Sequence, residues 1–305
     1  MSTTILFATD FSAGAEHAAR ITRAVARHVG AEVVCMHAVV MTEARPDEYE
    51  IATGEVEAFR RSFQEDLAGR RSRLHELVES FSAQGVSAHA RLVDGPTVDV
   101  ICQVAGEVEA SLVVVGSHGR SGLRRMLLGS VAERVARLSP CSVLVARPPA
   151  TGSEGFHRVL IPVDVNALAE VALDQGAALA APDAHIDLLH CWLLDEFPDG
   201  MLAPLAPGAS HRAAAVVVSE HLRVRGQELA QRVGGDGREV GFHLCEGRAT
   251  AGIHSFMDEN QPYDLVVVGT HGRTGMRRLL LGSVAESTVR YAPCSVLVAR
   301  ARVQG

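Results

Sequence analysis

SLVVVGSHGRSGLRRMLLGSVAERVARLSPCSVLVAR at residues 111–147 and DLVVVGTHGRTGMRRLLLGSVAESTVRYAPCSVLVAR at residues 264–300 agree at 27 of 37 positions without a gap. An ungapped match of this length inside one chain is an internal duplication. Upstream the copies have drifted, but the order of their elements survives. ILFATD (5–10) answers VLIPVD (159–164), and VVCMHAV (33–39) answers IDLLHCW (186–192). The duplicated unit is therefore a whole domain, and 305 residues accommodate two of them. Pro148-Pro149-Ala150-Thr151-Gly152-Ser153 reads as the linker, which sets the domains at residues 1–150 and 151–305.

Within each unit, short apolar runs alternate with helix-period segments, the pattern of βαβ units and a parallel sheet. Strands are expected near 4–9, 31–39, 86–93, 111–116 and 142–147, with helices near 14–29, 55–83, 97–109 and 130–138. In the second copy the strands fall near 157–163, 185–192, 239–245, 264–269 and 295–300. The fold class is thus α/β: two open five-stranded parallel sheets with helices on both faces, Rossmann-like. CSVLVAR ends both copies (141–147 and 294–300) as an apolar edge strand. Such an edge must be covered, so the halves are expected to pack face to face through their fifth strands, related by pseudo-two-fold symmetry. The chain is then its own pseudo-dimer, with further homodimerisation left open.

Composition narrows the function. With 29 basic and 36 acidic residues the formal charge is −7, which disfavours nucleic acid or an anionic membrane as the main partner. No run approaches the roughly 20 apolar residues of a membrane span, and the first residues lack the pattern of a secretion signal. The six cysteines sit singly in apolar runs without C-x-x-C spacing and read as reduced thiols. A cytoplasmic protein is expected.

After its fourth strand each copy carries Gly-x-x-Gly, nine residues, then Gly-Ser: Gly116, Gly119, Gly129, Ser130 and Gly269, Gly272, Gly282, Ser283. A glycine ending a buried strand lets a ligand lie against bare backbone. Gly129-Ser130 opens a helix, Ser130-x-x-Glu133 has capping-box spacing, and helix amino ends attract phosphate. Arg120, Arg124 and Arg125, repeated as Arg273, Arg277 and Arg278, add positive charge but serve equally well as solvated residues. The pattern is neither a Walker A loop nor G-x-G-x-x-G. Asp10 and Asp164 end the first strand of each copy. In a doubly wound sheet they would flank the crevice between strands one and four, where a carboxylate can accept hydrogen bonds from ribose hydroxyls; capping the next helix is their plainer use.

Both copies resemble the universal stress protein family in its tandem two-domain form, over nearly the whole chain. The resemblance implies strand order 3-2-1-4-5 and an ATP site in each half. It implies that Asp10 meets ribose, Ala38 the adenine, and Gly116, Gly119, Gly129, Ser130 and Val131 the ribose and phosphates. The second site would comprise Asp164, Cys191, Gly269, Gly272, Gly282, Ser283 and Val284. Asp10-Phe11-Ser12 matches the family's opening, whereas the second copy reads Asp164-Val165-Asn166. The implied ligand is ATP, with or without magnesium, and the implied role is a stress-response regulator whose nucleotide occupancy tunes conformation or binding to an unidentified protein partner.

No Walker A lysine or positioned base is recognisable, so turnover would be at most slow. No catalytic residue and no metal ligand is assigned: His118 and His271 lack an oriented partner, and His37 and His190 are expected to pack or bond locally. A slow ATPase or adenylyl-transferring enzyme, and an interaction module with vestigial sites, stand as alternatives. The charged stretch 54–82 reads as a solvated helix long enough to cover the crevice mouth.

Overall fold

The computed structural model describes residues 3–40, 53–117, 128–148, 155–165, 170–194, 211–234, 238–260, 262–270 and 281–301. The first half runs β1 (Thr4–Ala8), α1 (Ala13–Val29), β2 (Glu32–Val39), α2 (Thr53–Ser82), β3 (Ala88–Asp94), α3 (Thr97–Glu107), β4 (Leu112–Gly116), α4 (Ser130–Leu138) and β5 (Ser142–Ala146). The second runs β6 (Phe156–Pro162), α5 (Glu170–Leu179), β7 (Ala180–Trp192), α6 (His211–Val233), β8 (Glu239–Glu246), α7 (Ala249–Glu259), β9 (Leu265–Gly269), α8 (Ser283–Tyr291) and β10 (Ser295–Ala299). Among the described residues no helix is long and apolar enough to cross a membrane.

Local chemistry explains the boundaries. Helix α1 starts where the Ser12 side chain accepts the Ala15 amide at 3.3 Å and stops at Gly30, whose φ of 66° is a left-handed cap. Strand β7 begins at Ala180, earlier than its apolar run suggests, because Ala180 pairs with Phe156 across a register shift. The inner strands β1, β4 and β5 are apolar and buried along nearly their whole length, as strands covered on both faces must be. The outer strands β3 and β8 are only partly buried and carry His89, Arg91 and Asp94, or Glu239, His243 and Glu246. Charge on an outer strand discourages edge pairing.

Each half has the order 3-2-1-4-5, and the two sheets join into one of ten strands, β3-β2-β1-β4-β5-β10-β9-β6-β7-β8. The fifth strands meet edge to edge rather than face to face. β5 and β10 pair antiparallel, with Val143, Leu144 and Val145 opposite Val298, Leu297 and Val296. Edge pairing satisfies the exposed N–H and C=O groups that face packing would leave open. The core consequently forms two layers that cross the junction. Phe7, Leu144, Leu297 and Ile161 belong to one, and Leu6, Val143, Val296 and Leu160 to the other.

Reciprocal arginines lock the junction. Arg147, 7% exposed, donates from Nη2 to the carbonyl of Val289 at 2.7 Å and of Arg290 at 3.4 Å, and from Nη1 to that of Cys294 at 3.4 Å. Arg300, 9% exposed, donates to Ala136 and Arg137 at 2.8 and 2.7 Å. Each half thus places a cation on the carboxyl end of the other half's last helix, where the helix dipole favours it. Burial lowers the pKa of both guanidinium groups. Ser142 and Ser295 repeat the exchange on the backbone: their hydroxyls accept the Arg300 and Arg147 amides at 3.0 and 3.1 Å.

One polar cluster belongs to the second half. Asp187 on β7, 3% exposed, accepts His243 Nε2 at 2.7 Å and His185 Nε2 at 3.1 Å on Oδ1, and Tyr263 Oη at 2.8 Å on Oδ2. Burial pushes its pKa up, but the hydrogen bonds from Tyr263, His243 and His185 outweigh it and hold the carboxyl below its usual range. A depressed folded-state pKa contributes stability above the unfolded value that is lost as pH falls through the folded one. Asp187→Asn is expected to cost about 2 to 3 kcal/mol at pH 7. Urea unfolding should show the gap to the parent starting to close as the pH falls through the unfolded-state aspartate value of about 4 and closing fully only at the lower pH where the folded parent's carboxyl protonates. A gap that does not depend on pH would mean that the ionised carboxylate contributes nothing.

Candidate functional site

Two cavities open at the carboxyl ends of the inner parallel strands, one per half. The first, about 300 Å³, lies between β1 and β4 where the strand order reverses. Its wall includes Asp10 after β1, Ala38 on β2, Gly116 at the end of β4, and Gly129, Ser130 and Val131 at the start of α4. The second, about 430 Å³, is walled by Asp164, Cys191, Gly269, Gly282, Ser283 and Val284. Twelve of the fourteen residues expected from sequence therefore converge on these two cavities. The other two, Gly119 and Gly272, lie outside the described residues, as do His118, His271, Asn166 and all six arginines between the glycines.

The helix starts are tied to their strands by backbone. The Gly129 amide donates to the Ser117 carbonyl at 2.8 Å, and Gly282 does the same to Thr270 at 3.1 Å. These bonds hold the amino ends of α4 and α8 beside the ends of β4 and β9. The expected capping box does not form: Gly129 is the cap residue, Ser130 is already the first helical residue, and no side chain caps the helix. Gly282 caps α8 in the same way. Glu133 turns instead to Arg137 and, across the junction, to Arg290 at 3.1 Å. A first turn without a side-chain cap leaves its amides for an anion. Gly129 has φ −68° and ψ 143°, open to any residue, so nothing in its own backbone conformation demands glycine.

Gly116 has a different reason. A β-carbon there would lie 3.2 Å from the backbone carbonyl of Gly14, so glycine lets α1 start close against the end of β4. Asp10 both lines the cavity and closes a turn. Its Oδ1 accepts the Ser12 amide at 3.0 Å and the Ser12 hydroxyl at 2.6 Å, and Ser12 in turn caps α1. Between them Phe11 sits at φ 60°, a left-handed conformation that is uncommon outside glycine.

The histidines at the ends of the second strands brace the floor. His37 Nδ1 lies 2.7 Å from the Thr9 carbonyl, and His190 Nδ1 lies 2.9 Å from that of Val163. A carbonyl only accepts, so each Nδ1 carries the hydrogen. In His37 this leaves Nε2 to accept from Arg70 Nη1 at 2.9 Å. Arg73, a turn further along α2, donates to the Phe11 carbonyl and stacks on the Phe11 ring at 4.6 Å. Helix α2 therefore reaches over the Asp10–Ser12 turn at the rim of the first cavity. Sequence reasoning missed Arg70 and Arg73, whose only signal was their one-turn spacing on a helix expected at the mouth.

A doubly wound α/β unit with a ligand-sized cavity at its switch point, built twice and joined through strand five, defines a tandem Rossmann-like protein. The chain belongs to the universal stress protein family, whose model matches residues 1–147 and again 155–300. It is 30% identical over 222 residues to the universal stress protein Rv2005c of Mycobacterium tuberculosis, covering 70% of each chain. It is 31% identical over 145 residues to the universal stress protein MJ0531 of Methanocaldococcus jannaschii, covering 48% of this chain and 82% of that one. In fold it is similar to the crystal structure of a universal stress protein from Archaeoglobus fulgidus, with a TM-score of 0.66 at 21% identity over 99% of this chain and all of the other.

Proposed function

We propose that this chain is an ATP-binding regulatory protein of the stress response that holds one adenine nucleotide in each half. The observation that carries the reading is the meeting, in each cavity, of an aspartate two residues beyond the first strand of its half with a glycine-led helix start that no side chain caps. The residues fit the ligand. Met36, Ile101 and Val115 give the first cavity an apolar wall for a purine. Asp10 suits ribose hydroxyls, and the amides after Gly129 suit phosphate, with magnesium, where present, carried by the phosphates. Residues 1–150 and 151–305 are the two binding units. The six free cysteines fit a reducing cytoplasm. Occupancy, on this reading, tunes conformation or a protein contact without consuming the nucleotide.

Single-turnover measurement with labelled ATP separates this from enzymatic use. A regulator releases ATP intact far faster than it converts it. Formation of ADP or an adenylylated product that outpaces release would make the chain an enzyme.

A further inference from the structure

Cys191 and Cys245 are register partners on the neighbouring parallel strands β7 and β8. Such partners point to the same face of the sheet, and their strands lie about 4.8 Å apart, inside the window of about 4.4 to 6.8 Å between Cα atoms that a disulfide spans. Both sulfurs converge on one notch in α7. A β-carbon at Gly252 would stand 2.8 Å from Cys191 Sγ and 2.9 Å from Cys245 Sγ, so the glycine leaves the space that the thiols fill. The first half has no such pair: there the register partners are Ala38 and Val93, and the fourth residue of α3 is Val100. Cys191 also lines the second cavity, as do Ala249 and Ile253, which flank Gly252 on α7.

We propose that Cys191 and Cys245 form a redox-modification site, a dithiol at the wall of the second cavity that a hydroperoxide converts to a disulfide. The Cys245 thiol gives up its proton, its thiolate attacks the peroxide, and the O–O bond breaks to leave a sulfenic acid; with hydrogen peroxide the departing hydroxide takes up that proton as one water. Cys191 sulfur then attacks that sulfenic sulfur, the S–S bond forms, and the departing hydroxide takes the Cys191 proton as a second water. The two sulfurs lose two electrons and the peroxide gains them. Burial first, and then the neighbouring Cys245 sulfur, push the Cys191 thiol up to about 12, which makes it the resolving partner and the reaction slow. The other cysteines offer no competing pair of this kind: Cys35, Cys141 and Cys294 are buried, and Cys102 stands on α3. A bridge across adjacent strands is strained and returns to the dithiol with added thiol.

The test uses the full chain, treated with hydrogen peroxide, alkylated, digested and examined by mass spectrometry. The expected product links the peptides carrying residues 191 and 245 with loss of two hydrogens, and dithiothreitol reverses it. Cys191→Ser and Cys245→Ser should each abolish the link. Alkylation of both thiols after oxidation, a bridge to another cysteine, or irreversible single oxidation would each overturn the proposal. The effect on ligand rests on the nucleotide reading and is measured separately. In a Gly129→Val background, which isolates the second cavity, ATP affinity should differ severalfold between oxidised and reduced protein, while Gly282→Val, which isolates the first, should show no difference. Equal affinities with the disulfide formed would overturn the link to the cavity. No ATP binding to reduced protein would instead sink the nucleotide reading and leave the disulfide result standing.

Discussion

Gly129→Val should abolish nucleotide binding in the first half and leave the second intact, so that titration falls from about two nucleotides per chain to about one. A ligand held by the first-turn amides of α4 approaches along the line that a valine side chain would occupy. Affinity at that cavity should drop more than about a hundredfold, roughly 3 kcal/mol. The fold should tolerate the change, because Gly129 already has the extended conformation that β-branched residues favour. Replacing a glycine cap by valine should cost about 1 kcal/mol of stability. Gly282→Val should give the mirror result: its φ is −63°, and a β-carbon there meets the Thr270 carbonyl at an ordinary 3.4 Å. If each single variant still binds two nucleotides, the glycines serve the fold and not a ligand.

The largest loss of stability is expected from Arg147→Ala. Its guanidinium serves three carbonyls at the carboxyl end of α8 and in the turn that follows, all across the junction. Truncation would leave those acceptors buried without their donor and empty the space the side chain fills. Charge-assisted bonds of this kind contribute about 1.5 to 3 kcal/mol each before relaxation, so a net loss of about 3 kcal/mol in urea unfolding is expected. Arg147→Lys should recover little, since an ammonium cannot fork across three carbonyls. Arg300→Ala should behave similarly on α4. A change under about 0.5 kcal/mol, as for ordinary surface positions, would show that β5–β10 pairing alone holds the halves.

The parts of this structure that repeat were legible in the sequence, and those that arise from register were not. The 111–147 and 264–300 match locates β4, α4 and β5 and their copies, and the five apolar runs of each half locate the strands around them. The cavity residues followed because chain ends at the carboxyl edge of a doubly wound sheet have one place to converge. The capping box was misread because Gly-Ser-x-x-Glu fits either residue as cap, and only backbone geometry separates Gly129 from Ser130. The junction was visible as two apolar edges, but nothing in CSVLVAR says whether such edges pair or stack. Its closing arginine, present in both copies, was the unused signal for the clamp. His185 precedes Asp187 by two residues on β7, but the partners at 158, 243 and 263 are brought to it only by strand pairing and by the turn into β9. Cys191 and Cys245 are likewise 54 positions apart and become neighbours only through the β7–β8 register.

Calorimetric titration of the intact chain with ATP tests the central claim most directly. The account predicts saturation near two nucleotides per chain, one for each cavity. A folded protein that takes up none, at concentrations where adenine nucleotides are saturating for an ordinary site, would contradict it.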